Sequence, residues 1–231
     1  MKVFAISDFH LSINNPKPMD IFGPSWENYL DKIIADWEEK VTDEDIVLIP
    51  GDLSWAMKFE EAKPDLDFIC NLKGKKVILK GNHDYWWSSI SELRGYLYNN
   101  TYAIQNDAIK LGNYVICGSR GWVAEDNGFK SEQDEKIYKR ELIRMELSLK
   151  NAMTLKSDED KVIVITHYPP FNYRMEYNEM IALFEKYKVN YVVYGHLHNE
   201  DIKQKLTFER NGIKYYLTSC DLVGNKLIKI E

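Results

Sequence analysis

The sequence predicts an α/β fold in which two mixed β-sheets pack together and helices cover their outer faces. Short β-branched strands alternate with helical patterns in the first part of the chain, mixed strands without helices occupy the middle, and strands dominate the end. Every such element must bury one face, and two packed sheets with helices outside satisfy all of them. Since no linker rich in Pro, Gly or Ser divides the 231 residues, we expect a single domain over residues 1–231.

Five predicted strands are short apolar runs that end directly in Asp, Asn, Gly or His. Continuous apolar runs of this kind are typical of strands buried on both faces. They cover residues 2–7, 45–50, 76–80, 161–166 and 190–194. In open α/β sheets, ligands collect beyond the carboxyl ends of the strands, so we expect the five following loops to form one rim.

Helices are predicted where apolar residues recur at helical spacing. Three such stretches lie near residues 29–37, 66–72 and 90–97, and Ser25 is the expected N-cap of the first. The clearest helix covers residues 132–153, and Ser131 with Asp134 predicts a capped start. Asn211-Gly212 between two β-branched runs predicts a tight hairpin.

Composition limits the classes of partner. The net charge of −6 argues against broad nucleic-acid binding, which depends on a basic surface. No apolar stretch approaches the ~20 residues of a membrane span, and no signal-peptide core is seen. The three cysteines, Cys70, Cys117 and Cys220, are widely spaced among apolar neighbours and are expected to be free and buried. A cytoplasmic location is therefore expected.

All five histidines lie where a predicted strand ends, and acidic or amide side chains accompany them. Each motif alone also fits an ordinary turn or a capped strand end. Together they predict metal binding, because imidazole and carboxylate groups that converge on one rim form a transition-metal donor set. Asp8 and His10, two positions apart on an extended segment, should face the same side. The motifs are Asp8-Phe9-His10, Gly51-Asp52, Gly81-Asn82-His83-Asp84, His167 and Gly195-His196-Leu197-His198.

These five segments, in this order, resemble the calcineurin-like metallophosphoesterase family outside its protein-phosphatase branch. The resemblance covers residues 8–198 and implies an αββα four-layer sandwich that binds two divalent metal ions. It implies a bridging carboxylate, Asp52, shared by both ions. The implied ligands are Asp8, His10, Asp52 and His198 for one ion, and Asp52, Asn82, His167 and His196 for the other.

The resemblance also implies a reaction, the hydrolysis of a phosphate mono- or diester by a hydroxide that bridges the metals. His83 is left without a metal and matches the family's proton donor to the leaving oxygen, and the adjacent Asp84 is expected to orient it. Arg120 is a candidate phosphate clamp, although an ordinary surface arginine fits its position at least as well. Mixed oxygen and nitrogen ligands suit manganese first, with iron and zinc as alternatives.

The sequence also departs from relatives within this family. Ser/Thr protein phosphatases continue Gly-Asp into a segment that ends in Asp-Arg-Gly, which residues 53–58 lack. Protein phosphatase activity is therefore disfavoured, and a small phosphorylated substrate is expected. Tyr168 stands where many simpler members carry a second histidine, which leaves its role open. A nuclease of the same fold and a non-catalytic metal-binding scaffold remain as alternatives.

Four tryptophans close to the motifs have two interpretations, namely Trp55, Trp86, Trp87 and Trp122. Stacking on a nucleobase is the functional one. Burial in the core is the expected one, because aromatic residues make up 13% of the chain and favour the interior. Residues 13–25, rich in Asn and Pro, follow His10 and are expected to overhang the pocket as a specificity loop.

Overall fold

A computed structural model describes residues 1–124, 128–198 and 205–231 of the chain. Within these ranges it contains eleven strands and five α-helices. The strands are β1 Val3–Ala5, β2 Ile46–Ile49, β3 Lys75–Leu79, β4 Thr101–Ile104, β5 Ala108–Leu111, β6 Tyr114–Gly118, β7 Lys161–Thr166, β8 Tyr191–Tyr194, β9 Thr207–Arg210, β10 Ile213–Leu217 and β11 Ile228–Lys229. The helices are α1 Tyr29–Lys40, α2 Phe59–Asn71, α3 Ile90–Tyr96, α4 Glu132–Leu155 and α5 Glu179–Lys186.

The strands form two mixed sheets. The first has the order β11-β1-β2-β3-β4, and β1 to β4 run parallel while β11 is antiparallel to β1. The second has the order β5-β6-β7-β8-β10-β9, in which β6, β7, β8 and β10 run parallel and antiparallel strands lie at both edges. Parallel central strands place their carboxyl ends at one edge of each sheet.

Three hydrophobic clusters separate the layers. Alternate residues of β1, β2 and β3 face in opposite directions, so Val47 packs against helix residues such as Trp37, whereas Leu48 packs against the second sheet. On the far side, Val164 of β7 packs with Met145 of α4. The order of layers is therefore helix, sheet, sheet, helix, which confirms the predicted sandwich.

The predicted elements agree with the structure in position, with three differences. Strand β7 has the predicted bounds, and Asn211-Gly212 forms the hairpin turn with φ values of 52° and 78°. Ser25 does not cap α1, since residues 24–26 form a 3-10 turn and Asn28 stands at the N-cap. Helix α5 was not predicted, and α2 begins earlier than its apolar stripe indicated. No helix among the described residues is long and apolar enough to cross a membrane.

Candidate metal and phosphate site

The loops that follow β1, β2, β3, β7 and β8 bring the predicted metal ligands together. Two groups of side chains have ligand atoms close enough to share an ion. They are Asp8, His10 and His198, and Asp8, Asp52 and His167. All of these side chains except His198 are buried. The carboxyl edges of both sheets therefore supply one continuous donor cluster, as the strand-end motifs predicted.

The backbone at these loops is unusual. Asp8, His10, Asp52 and His196 have φ values of 61°, 48°, 53° and 72°, in the left-handed region that is uncommon for residues other than Gly, although Asn, Asp and His adopt it more often than the rest. Such conformations persist only where the surroundings enforce them, and they concentrate at functional sites. Asp8 and His10 therefore converge through two left-handed turns and not, as the sequence suggested, through the alternation of an extended strand.

The first predicted set surrounds the Asp8 carboxylate. His198 Nε2 lies 3.5 Å from Asp8 Oδ1, while His198 Nδ1 lies 2.9 Å from Asp221 Oδ1. Burial opposes protonation of His198, but hydrogen bonds to Asp221 and Asp8 outweigh it and raise its pKa to about 10. Burial lowers the pKa of His10 to about 4, so His10 is neutral near pH 7. A neutral imidazole is the form that binds a metal.

The second predicted set centres on the amide oxygen of Asn82. Asn82 Oδ1 lies 2.6 Å from His167 Nε2 and 2.8 Å from His196 Nδ1. Burial lowers the pKa of His196 to about 4, and the positive charge on His167 adds to the effect. For His167 itself, burial opposes protonation, but the Asp52 carboxylate outweighs it and raises the pKa.

Asp52 lies between the two sets. Its Oδ2 atom is 3.9 Å from His10 Nε2 and 3.4 Å from His167 Nε2. Its Oδ1 atom accepts a hydrogen bond of 2.8 Å from the backbone N–H of His83. Oδ2 is thus the oxygen that faces an imidazole of each set.

The donor set fits divalent cations. Two ligand atoms that bind one ion at about 2.1 Å lie roughly 3.0–3.4 Å apart, which is the scale of the separations described above. His167 Nδ1 lies 3.0 Å from the carbonyl oxygen of Pro50, so in the neutral ring that nitrogen carries the proton. When the ring is neutral, Nε2 and Asn82 Oδ1 both present lone pairs, as two ligands of one cation do. His10 Nδ1 is also buried without a hydrogen-bond partner among the described residues.

The motif glycines allow these loops to approach one another closely. A Cβ atom on Gly81 would lie 2.8 Å from Asp52 Cγ, and nearer still to other Asp52 atoms. A Cβ on Gly51 would lie 2.5 Å from Nδ1 of the His167 ring, and Gly51 also has a φ of +99°. The glycine in each motif is therefore required by the short distance to a predicted ligand on another loop.

Asp84 has a different partner from the one that the sequence suggested. Its carboxylate accepts hydrogen bonds from the backbone N–H groups of Gly81, Asp52, Leu53 and Ser54 at 2.7–3.1 Å, and from the Trp86 indole at 2.9 Å. None of the hydrogen bonds found among the described residues joins it to the His83 ring. Asp84 therefore fixes the loop that carries Asp52, because a buried carboxylate needs such donors and two adjacent backbone segments supply them.

His83 projects into an aromatic corner beside the donor cluster. Its half-buried ring lies 5.5 Å from the His10 ring and 4.7 Å from the Trp55 ring, measured between centroids. Trp55 itself stacks on His10 at 4.5 Å, and the Lys17 ammonium lies 4.8 Å from the Trp55 ring centroid. The expected burial is confirmed for Trp86 and Trp87, whereas Trp55 and Trp122 are only half-buried.

Two further predicted residues lie at the rim. Arg120 is half-buried, its carbonyl oxygen accepts the backbone N–H of His167 at 3.0 Å, and its guanidinium lies 5.1 Å from the Trp122 ring centroid. Tyr168 is buried, packs 4.2 Å from the His196 ring, and has a pKa raised to about 12 by burial. Tyr168 is thus a neutral packing partner of a predicted ligand.

Asp221 was missed by the sequence analysis. It follows β10 at the same edge as the other motifs and holds His198 through Nδ1. A carboxylate in this position fixes the orientation of a metal-binding imidazole and raises its basicity. The rule applied to the other strands, a polar side chain directly after a buried strand, also identifies Thr218-Ser219-Cys220-Asp221.

The sequence profile of calcineurin-like phosphoesterases matches residues 1–200. The chain belongs to the calcineurin-like phosphoesterase family. No curated protein matches it in sequence. Two solved structures share its fold. Each structural alignment covers 99% of this chain and 95% of the other chain. One is a protein of unknown function, AQ665, from Aquifex aeolicus, with 14% identity and a TM-score of 0.51. The other is a phosphopantetheinyl hydrolase from Mycobacterium tuberculosis, with 12% identity and a TM-score of 0.57.

Membership of the calcineurin-like phosphoesterases makes this chain a metal-dependent phosphoesterase in class, and the family implies divalent metal ions. The three cysteines are free and buried, as predicted. At 12–14% identity the two structural relatives share the architecture with this chain and nothing more specific.

Proposed function

We propose that this calcineurin-like phosphoesterase hydrolyses a phosphate mono- or diester of a small molecule with two divalent metal ions. The position of Asp52 Oδ2, within 3.9 Å of His10 Nε2 and 3.4 Å of His167 Nε2, is the main support. One carboxylate oxygen that faces both imidazole sets is what a bridging ligand requires. The proposed ligands are Asp8, His10, Asp52 and His198 on one side, and Asp52, Asn82, His167 and His196 on the other.

When bound, the ions would lower the pKa of a water molecule and neutralise charge on the phosphoryl oxygens, with manganese as the first candidate and iron or zinc as alternatives. The residues of the chain complete the site. Asp8 and Asp52 offset part of the cationic charge, and Asp221 and the Pro50 carbonyl fix the ring orientations of His198 and His167. The resulting site favours a phosphate group over a neutral ester.

His83 is the proposed proton donor to the leaving oxygen. Its ring lies at the edge of the donor cluster and is partly exposed, while its backbone N–H donates a hydrogen bond to Asp52. It is thus held near the reacting group but is not part of either proposed ligand set. Protonation of the leaving alkoxide would avoid the release of a strongly basic anion.

The first experiment measures hydrolysis of p-nitrophenyl phosphate and bis-p-nitrophenyl phosphate with Mn²⁺ and with chelator. We expect hydrolysis of at least one ester with Mn²⁺ and none with chelator. Phosphopantetheinyl compounds join a wider substrate screen because a phosphopantetheinyl hydrolase shares the fold. Bound metal without hydrolysis of any ester would favour the scaffold alternative and contradict the enzyme proposal.

The role of His83 is tested by leaving-group dependence. His83→Ala should retain its metals and lose about 10²–10⁴-fold in kcat on phenyl phosphate, and less on p-nitrophenyl phosphate, whose leaving group is more acidic. Tyr85→Phe, two positions away and largely exposed, is the control and should behave as the wild type. Equal losses on both esters in His83→Ala would argue against proton donation.

The bridging role of Asp52 is tested by metal analysis of Asp52→Asn. The affinity for both ions should fall together, because the substitution removes a negative charge that both sites share. A loss of affinity for one ion alone would contradict the bridging role of Asp52.

A further inference from the structure

A second cavity opens at the same edge of the sandwich as the metal site. It has a volume of about 270 Å³ and lies where β3, β4 and β6 end, with α4 closing its outer side. Strand β4 is the neighbour of β3 in the first sheet, and β6 is the neighbour of β7 in the second. The cavity is therefore one strand along the edge from the loops that hold the predicted ligands.

The lining of this cavity is strongly cationic. Four basic side chains and one carboxylate border it, in a chain whose net charge is −6. The charged lining residues are Lys80, Arg120, Arg140, Glu141 and Arg144. Cationic charge concentrated in one recess of an acidic protein indicates an anionic ligand, because like charges are otherwise kept apart.

Lys80 and Arg120 are the two cations of this lining that have no ion pair with a described residue. Lys80 Nζ donates only a long hydrogen bond of 3.4 Å to the Trp87 carbonyl, and neither side chain forms an ion pair with any residue in the ranges 1–124, 128–198 and 205–231. Burial lowers the pKa of Lys80; the Asp84 carboxylate opposes this shift, and the nearby Arg120 charge adds to it. Two partly buried cations thus lie near each other, and neither is paired with a carboxylate among the described residues.

The two arginines of α4 share one carboxylate: Arg144 forms a close ion pair with Glu141, whereas the exposed Arg140 lies at the outer limit of such a pair. Glu141 is fully buried, and its Oε1 atom lies 2.6 Å from Arg144 Nη1 and 3.9 Å from Arg140 Nε. One carboxylate cannot use all the donors of two guanidinium groups, so several N–H groups stay available. Guanidinium groups held in this way suit the paired oxygens of a phosphate.

Both ends of the cavity connect to the proposed catalytic loops. Lys80 immediately precedes Gly81-Asn82, and the Arg120 carbonyl accepts the backbone N–H groups of His167 at 3.0 Å and Tyr168 at 3.1 Å. The cavity and the donor cluster therefore share backbone segments and lie next to each other at one edge of the sandwich.

We propose that this cavity binds a second phosphate group of the substrate, so that the preferred substrate is a phosphate ester that carries another phosphate. The identification of the first phosphate rests on the proposed function, whereas binding of the second depends on Lys80, Arg120, Arg140 and Arg144. The cleaved group occupies the metal side, and the second group selects and orients the substrate from the cationic side.

The test uses ligands that cannot be hydrolysed. Calorimetry of the Mn²⁺-loaded protein compares propylphosphonate with terminal diphosphonates of increasing chain length, from ethylene to hexylene. The expected result is that the best diphosphonate binds about tenfold or more tightly than propylphosphonate, the effect of one additional charge-assisted contact. No gain at any chain length would overturn the proposal.

Substitutions in the cavity test whether the tighter binding of the diphosphonate depends on its cationic side chains. Arg120→Gln and Arg140→Gln should each remove most of the ratio between the two affinities. Lys139→Gln is the matched control, because it removes the same charge from the adjacent position of α4, where Lys139 pairs with Glu135. An unchanged ratio in both arginine variants would overturn the proposal. A ratio that falls equally in Lys139→Gln would do the same, since it would show a general charge effect.

The two proposals can fail separately. Because phosphonates contain a P–C bond, their binding does not depend on ester hydrolysis. A diphosphonate gain that is lost in the arginine variants, without hydrolysis of any tested ester, would support the anion cavity and contradict the proposed catalysis. Hydrolysis of p-nitrophenyl phosphate without such a gain would leave the catalysis and reject the cavity.

Discussion

Gly81 offers a direct test of how closely the metal-site loops approach one another. A methyl group at this position would lie 2.8 Å from Asp52 Cγ, where ordinary van der Waals contact begins at 3.4 Å, and it would also press on the Asp52 backbone nitrogen. Rotation of the Asp52 side chain cannot relieve a backbone overlap. Gly81→Ala should therefore displace the loop that carries the proposed bridging ligand.

The expected cost has two parts. Overpacking of a tight site costs about 1–3 kcal/mol of unfolding free energy, and each kcal/mol lowers the Tm of a domain of this size by about 2–4 °C. Displacement of Asp52 should also weaken Mn²⁺ binding by about 10–100-fold, the scale found when supporting groups of a metal site are changed. Thermal unfolding of the metal-free protein and calorimetric Mn²⁺ titration measure the two parts separately.

Gly95→Ala is the matched control. Gly95 lies in α3, and a methyl group there would contact nothing within 4 Å. Since alanine favours a helix by about 1 kcal/mol over glycine, this variant should be slightly more stable and bind metal as the wild type does. If Gly81→Ala melted and bound Mn²⁺ like Gly95→Ala, the inferred approach of the two loops would be wrong.

Three further substitutions test the supports of the site and the fold. Asp84→Asn should lower the unfolding free energy by about 3 kcal/mol and weaken metal binding, because an amide NH₂ group would face backbone N–H groups that now donate to the carboxylate. Urea unfolding measures the change, and wild-type stability would contradict this role. Metal binding at pH 8 should release a proton from His198. Its pKa of about 10 keeps the imidazole protonated at pH 8, and an imidazole must be neutral to bind a metal. Asp221→Asn lowers that pKa, so calorimetry in buffers of different ionisation enthalpy should show less proton release, and an unchanged release would exclude the pairing. Lys76→Met should lower the unfolding free energy by about 3 kcal/mol or more, because four carbonyl oxygens lie 2.7–3.1 Å from the buried Lys76 ammonium and share its three N–H donors. Lys75→Met, which removes an exposed pair with Glu44, is the control and should change stability little.

Much of this fold could be predicted because its signals are local in sequence. A buried parallel strand is encoded by a continuous apolar run, and β7 was found with its bounds for that reason. The hairpin at Asn211-Gly212 was found because positive φ at both turn residues restricts the sequence to a few residue types. Strand-end motifs then placed the predicted ligands at one edge without knowledge of the strand order.

What was missed depends on contacts between distant segments. Asp84 was expected beside His83, its chain neighbour, but its partners are the backbone groups of the β2 loop about thirty positions earlier. The partnership of Asp221 with His198 spans 23 positions and appears only when two loops meet. Helix α5 had a usable signal, an Asn178 cap followed by apolar residues at helical spacing, which the prolines before it obscured.

The cationic cavity illustrates the same limit. Lys80 and Arg120 each follow a strand, whereas Arg140 and Arg144 lie on the outer helix α4, and no spacing rule joins the two pairs. In sequence, the arginines of α4 resemble an ordinary solvated helix face with a neighbouring glutamate. Only the packing of α4 against β5 and β6 brings them to the same recess as Lys80 and Arg120.

The strained loops of the proposed metal site are held by hydrogen bonds from the chain itself. Asp8, His10, Asp52 and His196 occupy left-handed backbone conformations that each cost on the order of 1–3 kcal/mol in a free chain. Hydrogen bonds within the chain support these loops, among them those of the Asp52 N–H to Asp84 and of the His196 N–H to Asp8. Because these contacts come from the folded sandwich, metal ions should stabilise the protein through mass action alone and should not be required for it to fold. Circular dichroism of chelator-treated protein checks this inference, since loss of secondary structure on metal removal would show that the ions, and not the backbone contacts, hold the loops in their left-handed conformations.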